Sequence, residues 1–113
     1  MESLLDMDLA EFQQRVAATY GSRDRRRGLD GTFRRLIEEV GELARALRRR
    51  DPRALEEEIG DVLAWTVSVA VLAGADAARA ADRYAAGCPK CGATPCRCVE
   101  DDPGGAALGT GGR

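Results

Sequence analysis

Two short stretches of the sequence place acidic residues among the apolar residues of predicted helices. The first, LIEEVGEL, contains Glu39 and Glu42, and the second, EEIGDVL, contains Glu58 and Asp61. Each pair is spaced i, i+3, which puts both side chains on one flank of a helix. An ionised carboxylate that faces a protein core without a partner costs on the order of several kcal/mol. The two pairs therefore indicate a site that binds a cation.

The two acidic pairs are expected to face each other. A turn is predicted at Asp51, where a capping oxygen precedes a proline at the first helical position. Glu42 and Glu58 lie nine and seven residues from this turn, and Glu39 and Asp61 lie twelve and ten residues from it. In an antiparallel helical hairpin, equal distance from the turn means equal height. Four carboxylates brought together repel unless a cation joins them, and hard oxygen ligands suit Mg²⁺ or Mn²⁺.

A simpler alternative is that these acidic side chains form a solvated face and are neutralised by neighbouring arginines. The candidates for that neutralisation are Arg34, Arg35, Arg45 and Arg79. This alternative accounts well for Glu56 and Glu57. It accounts less well for Glu58, which falls in the apolar sector of its predicted helix, and for Asp61 at the edge of that sector.

Composition narrows the possible chemistry. The chain of 113 residues has a formal net charge of −2, so nothing in it suggests a basic surface for nucleic acid or anionic lipid. It contains no histidine, which excludes a Ser-His-Asp or Cys-His catalytic unit and any histidine metal ligand from this chain. The N-terminus lacks the pattern of a signal peptide, and the longest uncharged stretch, residues 62–75, is too short to span a bilayer. These features predict a cytoplasmic protein.

The fold predicted from hydrophobic spacing is all-α, with four helices and no strands. Thr32 is expected to cap the second helix and Asp76 the fourth. The polar segment 21–31 is expected to be a loop, although its first part could extend the first helix. The predicted helices span residues 9–20, 33–50, 52–73 and 77–87.

Two apolar stripes on the predicted helices are expected to face the core. The stripe on the second helix consists of Phe33, Leu36, Ile37, Val40, Ala44 and Leu47. The stripe on the third helix consists of Leu55, Ile59, Val62, Thr66 and Val69. After Asp61 the third helix is apolar nearly all round, and so small a unit cannot cover all those faces alone. A homodimer, or a dimer of such dimers, is therefore predicted.

Four cysteines follow the predicted helices in the pattern CPKCGATPCRC. They are Cys88, Cys91, Cys96 and Cys98. The first pair forms a turn like that of a zinc knuckle, and four thiolates can close a tetrahedral structural zinc site. A disulfide framework is not expected in a cytoplasmic protein. Structural Zn²⁺ is therefore predicted, with a redox thiol cluster or four free cysteines as the alternatives.

The two acidic stretches resemble the EExxE…ExxD signature of the all-α nucleoside triphosphate pyrophosphohydrolases, the MazG-like superfamily. EEVGE at residues 38–42 matches the first half and EIGD at residues 58–61 matches the second half. Four further segments are similar to a small single-domain branch of that superfamily that ends in a cysteine tail. They are RG at 27–28, TF at 32–33, DVLAW at 61–65 and CPKCGATPC at 88–96. The resemblance covers residues 24–98.

The resemblance implies a Mg²⁺-dependent enzyme that hydrolyses a nucleoside triphosphate between its α and β phosphates. The products are the nucleoside monophosphate and pyrophosphate. By motif position, the implied metal ligands are Glu39, Glu42, Glu58 and Asp61. The resemblance makes Glu38 a further ligand or the group that orients and deprotonates the attacking water.

Residues outside the acidic motif are expected to contact the substrate. Arg27 and Arg83 are candidates to hold phosphates, with exposed charge as the alternative. Relatives often carry a basic residue at the position of Arg83 followed by a tyrosine, here Tyr84. Relatives also often carry an asparagine where this chain has Val71, so the resemblance does not carry substrate choice over to this chain.

Two other functions remain open from the sequence. One is the hydrolysis of phosphoribosyl-ATP, which shares the fold and the reaction. The other is a non-catalytic helical interaction or regulatory module whose cysteine tail serves for docking. In each case the sequence predicts three segments, a helical domain at 1–87, a zinc motif at 88–98 and a disordered glycine-rich tail at 99–113.

Overall fold

The computed structural model describes residues 6–100, and these residues form helices and turns without a strand. The helices in chain order are α1 (Leu9–Arg49), α2 (Pro52–Ala73) and α3 (Ala77–Asp82). The predicted all-α fold class is confirmed, whereas the division into four helices differs from the structure. The chain forms two compact units, one through Ala80 and the other from Ala81. Apart from Val99 and Glu100, the predicted disordered tail lies outside the described residues.

Helix α1 consists of two helical stretches that meet at Gly28, whose φ of 87° and ψ of 167° are not helical. The segment predicted as a loop is helical on both sides of this break, which agrees with the alternative that its first part extends the first helix. A positive φ suits glycine because it has no Cβ to clash with the backbone. Thr32 lies inside the helix and is fully buried, so the prediction that it caps a helix start was wrong.

The ends of the helices follow the capping chemistry of the sequence. Asp8 and Glu11 form a reciprocal capping box at the start of α1, with N–H···O distances of 2.8 and 3.0 Å. Asp51 accepts hydrogen bonds from the first amides of α2, and the bounds of α2 are those predicted. Asp76 accepts a hydrogen bond from the Arg79 amide, 2.9 Å long, before α3, as predicted.

Helix α3 is shorter than the sequence predicted, because it ends at Asp82 rather than near Gly87. The amides of Tyr84 and Ala85 donate to carbonyl oxygens three residues earlier, at 3.0 and 2.9 Å. This pattern closes tight turns and does not continue the i to i−4 ladder of an α-helix.

Helices α1 and α2 pack against each other as an antiparallel hairpin. At the end away from the Asp51 turn, the side chain of Gln13 ties α1 to the connection after α2. Its Nε2 donates to the carbonyl oxygen of Ala75 at 3.1 Å, and its Oε1 accepts from the amide of Ala77 at 2.8 Å. Within the described range, neither helix is long and apolar enough to cross a membrane.

The hairpin buries little apolar surface. The buried apolar residues among those described are Val16, Ala46 and Val67. Most of the stripe predicted to face the core on α1 is instead exposed, by 50% at Phe33 and 52% at Ile37. On α2, Ile59 and Thr66 are exposed too. Within one chain the two helices share one interface, which leaves the other faces of each helix uncovered. Burial of this stripe therefore depends on the predicted homodimer.

Candidate functional site

The hairpin brings three carboxylates from its two helices into one cluster. Glu39 of α1 and Glu58 and Asp61 of α2 each place a carboxylate oxygen within 4.8 Å of the others. Glu39 and Glu58 are half-buried, whereas Asp61 is exposed. The Oε2 atom of Glu58 is buried and has no hydrogen-bond partner among the described residues. A buried acceptor oxygen normally pairs with a hydrogen-bond donor or a cation, and this oxygen has neither among the described residues.

The carboxylates in this cluster repel each other. Burial raises the pKa of Glu39 above its ordinary value of 4.5, and a hydrogen bond with Glu58 raises it further. The negative charges of Glu58 and Asp61 act in the same direction, and the positive charge of Arg35 opposes them. A proton on Glu39 thus relieves the repulsion, and a bound metal ion would relieve it more completely.

The other two acidic residues of the motif pair with arginines on their own helix. Glu38 Oε1 lies 3.2 Å from Arg35 Nε, and Glu42 Oε1 lies 3.9 Å from Arg45 Nη1. Among residues 6–100, no arginine or lysine nitrogen lies within 4.0 Å of the three clustered carboxylates. A solvated, arginine-neutralised face therefore describes Glu38 and Glu42 but not the cluster. The metal-binding role of Glu42 and the role of Glu38 as a base stay predictions.

A cavity of about 270 Å³ lies beside the carboxylate cluster and shares Asp61 with it. Three arginines line this cavity together with aromatic and polar side chains. The lining residues that bear on its chemistry are Tyr20, Arg23, Arg27, Arg35, Asp61 and Trp65. A cavity with several guanidinium groups next to a group of carboxylates combines an anion site with a cation site.

Arg27 is fixed in the wall of this cavity. Its Nη1 donates to Asp24 Oδ1 at 2.8 Å and to Thr32 Oγ1 at 3.2 Å. Asp24 and Thr32 lie on opposite sides of the break at Gly28, so Arg27 ties the two halves of α1 together. Its guanidinium carbon also lies 4.8 Å from the centre of the Trp65 ring, within cation–π range. Arg27 thus has a structural role, and its predicted contact with phosphate is not tested.

Sequence reasoning missed the parts played by Asp24, Arg35 and Trp65. Asp24 is 2% exposed, and its i, i+3 spacing to Arg27 would have been a signal if that segment had been recognised as helical. The sequence indicates Arg35 only as a neutralising charge, yet its guanidinium carbon also lies 5.0 Å from the centre of the Trp65 ring. Sequence spacing gives no signal for this contact of Trp65.

The predicted substrate residues Arg83 and Tyr84 lie in the unit that begins at Ala81. The Arg83 guanidinium carbon lies 5.4 Å from the centre of the Tyr84 ring, and both residues are exposed. Their predicted contact with substrate is not tested. Val71, where relatives often have asparagine, is half-buried in α2.

The four cysteine sulfurs form a second cluster, in which all Sγ atoms lie within 4.8 Å of one another. A tight turn forms it, since the Gly92 amide donates to the carbonyl oxygen of Cys88 and the Cys88 amide donates to that of Ala93. Gly87 has a φ of 114°, and a Cβ there would lie 2.6 Å from Thr94 Oγ1, so this close approach requires glycine. The cluster could bind a metal ion.

Backbone amides point at the sulfurs of this cluster. The amides of Cys91 and Lys90 lower the pKa of Cys88 to about 6, and the amides of Arg97 and Ala93 lower that of Cys91. Hydrogen bonds with the sulfurs of Cys96, Cys88 and Cys91 raise the pKa of Cys98 to about 12. In the absence of a cation, the cluster therefore retains a proton among its sulfurs.

The fold and the two clusters define an all-helical protein whose helical hairpin can hold a divalent cation beside an arginine-lined cavity. Residues 27–87 match the family model of the MazG nucleotide pyrophosphohydrolase domain. Because this match covers more than half of the 113 residues, the chain belongs to that family. The matched region contains all five acidic residues of the motif and ends directly before Cys88. No match to the chain is found among curated proteins.

Proposed function

We propose that this chain is a Mg²⁺- or Mn²⁺-dependent hydrolase that converts a nucleoside triphosphate into the monophosphate and pyrophosphate. One observation carries the proposal. Three carboxylates without arginine partners lie beside a cavity lined by three arginines. A metal-bound triphosphate offers a cation to the carboxylates and anionic oxygens to the arginines. The family to which the chain belongs is one of nucleotide pyrophosphohydrolases, which supplies the reaction class.

The donor atoms of the cluster fit a hard divalent cation. Glu39, Glu58 and Asp61 offer only oxygen, and the buried Glu58 Oε2 lacks a partner among the described residues. We assign these three residues as metal ligands. Glu42 is a fourth ligand in this proposal, since its weak contact with Arg45 leaves the side chain 48% exposed and free to turn. A bound Mg²⁺ neutralises phosphate charge and acidifies a coordinated water.

Glu38 is the proposed proton acceptor in hydrolysis. A water oxygen adds to phosphorus at the α–β anhydride, the anhydride P–O bond breaks, and the proton lost by the water passes to the Glu38 carboxylate. Glu38 lies one residue from the cluster and pairs with Arg35, which also lines the cavity. This pairing orients the Glu38 carboxylate at the edge of the site.

The arginines of the cavity are the proposed phosphate ligands. Arg27 uses one guanidinium nitrogen for Asp24 and Thr32, and a guanidinium group has five N–H donors in all. Its remaining donors can reach phosphate oxygens without releasing the buried Asp24. Arg23 and Arg35 line the same cavity. Contact of Arg83 and Tyr84 with the substrate stays a prediction.

A second copy of this chain is the proposed partner, giving a homodimer or a dimer of dimers. Exposed apolar side chains follow one face of α1 and continue onto α2. They are Leu29, Phe33, Ile37, Val40 and Leu47 on α1 and Ile59 and Leu63 on α2, all between 43% and 57% exposed. With only three buried apolar residues among those described, the hairpin needs further burial to be stable. A two-fold axis that places the same stripe against itself supplies that burial.

Pyrophosphate release from a panel of ribo- and deoxyribonucleoside triphosphates and phosphoribosyl-ATP tests the proposed activity. The wild type is compared with Glu39→Gln and Glu58→Gln, each with Mg²⁺, Mn²⁺ or chelator, and Glu57→Gln is the control because that residue pairs with Arg53 outside the cluster. We expect metal-dependent release that both cluster variants lose by at least about 100-fold and the control keeps. No release from a folded wild type would favour a non-catalytic helical module, and phosphoribosyl-ATP as the sole substrate would redirect the assignment to that reaction.

A further inference from the structure

We propose that Cys88, Cys91, Cys96 and Cys98 bind one Zn²⁺ ion as a four-thiolate structural site. The site is separate from the hydrolytic reaction, since the matched family region ends at residue 87 and none of the four sulfurs belongs to the carboxylate cluster. The proposed Zn²⁺ ion therefore lies in a segment that the family model does not cover.

The distances between the sulfurs match a tetrahedral zinc site. Zinc–sulfur bonds are about 2.3 Å long, so two sulfurs of a regular tetrahedron lie about 3.8 Å apart. The Cys88 and Cys98 Sγ atoms are 3.7 Å apart, and those of Cys91 and Cys96 are 3.9 Å apart. A disulfide would need about 2.05 Å, and none of the four cysteines is in one. The sulfurs therefore surround a space the size of one ion.

The backbone around the sulfurs supports thiolates. The amide of Lys90 lies 3.4 Å from the Cys88 sulfur, that of Arg97 lies 3.2 Å from the Cys91 sulfur, and that of Cys98 lies 3.3 Å from the Cys96 sulfur. Such N–H···S hydrogen bonds form the outer shell that orients metal ligands and spreads their negative charge. A positive φ at Gly92 allows the turn that places Cys88 and Cys91 together.

Four sulfur donors in a tetrahedron select among metal ions. The hard ions Mg²⁺ and Ca²⁺ are disfavoured by thiolates, whereas Zn²⁺ and iron accept this geometry. We assign Zn²⁺ because all four donors come from one short loop and close the coordination sphere, as in structural zinc sites.

The segment around the cysteines has no apolar core to stabilise it. Between residues 81 and 100, no residue is fully buried, and Val99 is 94% exposed. A segment without an apolar core folds only when a metal or a cross-link holds it. The bound ion therefore determines whether this loop is ordered.

Metal analysis of the full-length protein, purified without chelator, tests the proposal together with Co²⁺ substitution. We expect about one zinc per chain and, after exchange, the visible absorption and sulfur-to-cobalt charge transfer of tetrahedral thiolate cobalt. Cys91→Ser and Cys96→Ser should each lose most of the zinc. Lys90→Ala is the matched control within the loop and should keep it, because its amide remains.

Several outcomes would overturn the assignment. They are less than about a tenth of an equivalent of zinc, iron in place of zinc, or full zinc content in both serine variants. A second readout is the reactivity of the four cysteines with a thiol reagent, which should rise when zinc is stripped and fall when it is restored. Glu58→Gln should leave zinc content unchanged, so failure of the proposed hydrolase activity and failure of the zinc site are distinguishable.

Discussion

The carboxylate cluster and the cysteine cluster each gather acidic groups, but they are built in different ways. Glu39 and Glu58 are nineteen residues apart in the chain and sit on two helices, so only the packing of α1 against α2 brings them together. All four cysteines lie within residues 88–98, where local turns and the proposed zinc ion set their positions. The carboxylate cluster should therefore come apart whenever α1 and α2 no longer pack together, whereas the cysteine cluster should keep its geometry.

The two clusters also differ in their donor atoms. The carboxylates are hard oxygen ligands in a partly buried setting, where burial, a hydrogen bond with Glu58 and the charges of Glu58 and Asp61 raise the pKa of Glu39. The thiols are soft ligands that receive backbone hydrogen bonds, which lower the pKa of Cys88 to about 6. Different metals should therefore load the two clusters, and changes to one should leave the other intact.

Disruption of the proposed dimer should have the largest effect, because it should unfold the helices that form the carboxylate cluster and leave the cysteine cluster intact. In Ile37→Asp, a charge replaces an apolar side chain in the middle of the exposed stripe on α1. We expect loss of self-association and of most helical signal, because each apolar side chain buried in the interface contributes about 1.5–3 kcal/mol. Zinc content should stay near that of the wild type. Sedimentation, circular dichroism and metal analysis measure the three effects.

Arg34→Asp is the control for that experiment, because Arg34 is an exposed residue beside the stripe. It should leave the assembly intact. A dimer that survives Ile37→Asp would place the interface elsewhere, and a folded wild-type monomer at micromolar concentration would contradict the proposed homodimer.

Removal of the buried carboxylate at Asp24 should destabilise the helical hairpin alone. Asp24→Ala leaves Arg27 without its 2.8 Å partner inside the protein. We expect a loss of about 2–3 kcal/mol, which corresponds to a fall in Tm of roughly 10 °C or more. Asp30→Ala, an exposed acidic residue of the same helix, should change little.

The Asp24→Ala variant also tests whether Arg27 is positioned to bind phosphate. If the structure positions Arg27 for phosphate, KM for the nucleotide should rise in Asp24→Ala below its Tm while zinc content is unchanged. An unchanged KM together with the lower Tm would leave Arg27 with a structural role alone.

Neutralising Glu58 should raise the stability of the metal-free protein. Glu58→Gln removes one of three mutually repelling carboxylates and gives the buried position a group that can donate a hydrogen bond. We expect a gain of about 1 kcal/mol without metal and little further gain on adding Mn²⁺. Thermal denaturation with and without Mn²⁺ measures both effects.

Glu57→Gln provides the matched comparison for this measurement, since Glu57 is the exposed neighbour of Glu58 and pairs with Arg53. It should behave as the wild type does. A Glu58→Gln variant that is less stable than the wild type, and still stabilised by Mn²⁺ to the same extent, would remove Glu58 from the metal site.

The smallest expected effect is a pH dependence of the metal-free helical unit. The folded-state pKa of Glu39 is raised above 4.5, so the folded state binds a proton more tightly than the unfolded state does. This contribution to stability is fully present below pH 4.5 and is lost as the pH rises through the raised pKa. Urea denaturation across that range should show the decline in the wild type and a weaker one in Glu39→Gln.

Capping and motif chemistry were the most predictable parts of the molecule. Asp8 with Glu11, Asp51 before Pro52, and Asp76 each begin a helix as predicted, because a capping contact involves residues two to three positions apart. The sequence also predicted that the two acidic stretches face each other, since one turn sets the register of a helical hairpin. Glu39, Glu58 and Asp61 lie together as expected, whereas Glu42 lies outside the cluster. The family match confirms the resemblance that these stretches indicated.

The polar and glycine residues of the segment from residue 21 to residue 31 favour a loop locally, and only the alternative that its first part is helical agrees with the structure. Its helical conformation is held by a contact of Arg27 with Asp24 and Thr32 across the break at Gly28. The apolar stripe on α1 depends on packing in a similar way. Periodicity shows that a face is apolar but not whether the same chain or a second copy covers it.

The sequence by itself determined the helical class, the ends of α2, the order of the acidic motif and the local grouping of the cysteines. Each of these depends on neighbours within a few residues or on one turn. Only the tertiary structure decided which acidic residues remain without arginine partners, and it placed Trp65 within reach of two guanidinium groups. Those outcomes depend on burial and on the rotation of α1 against α2, which sequence spacing does not specify.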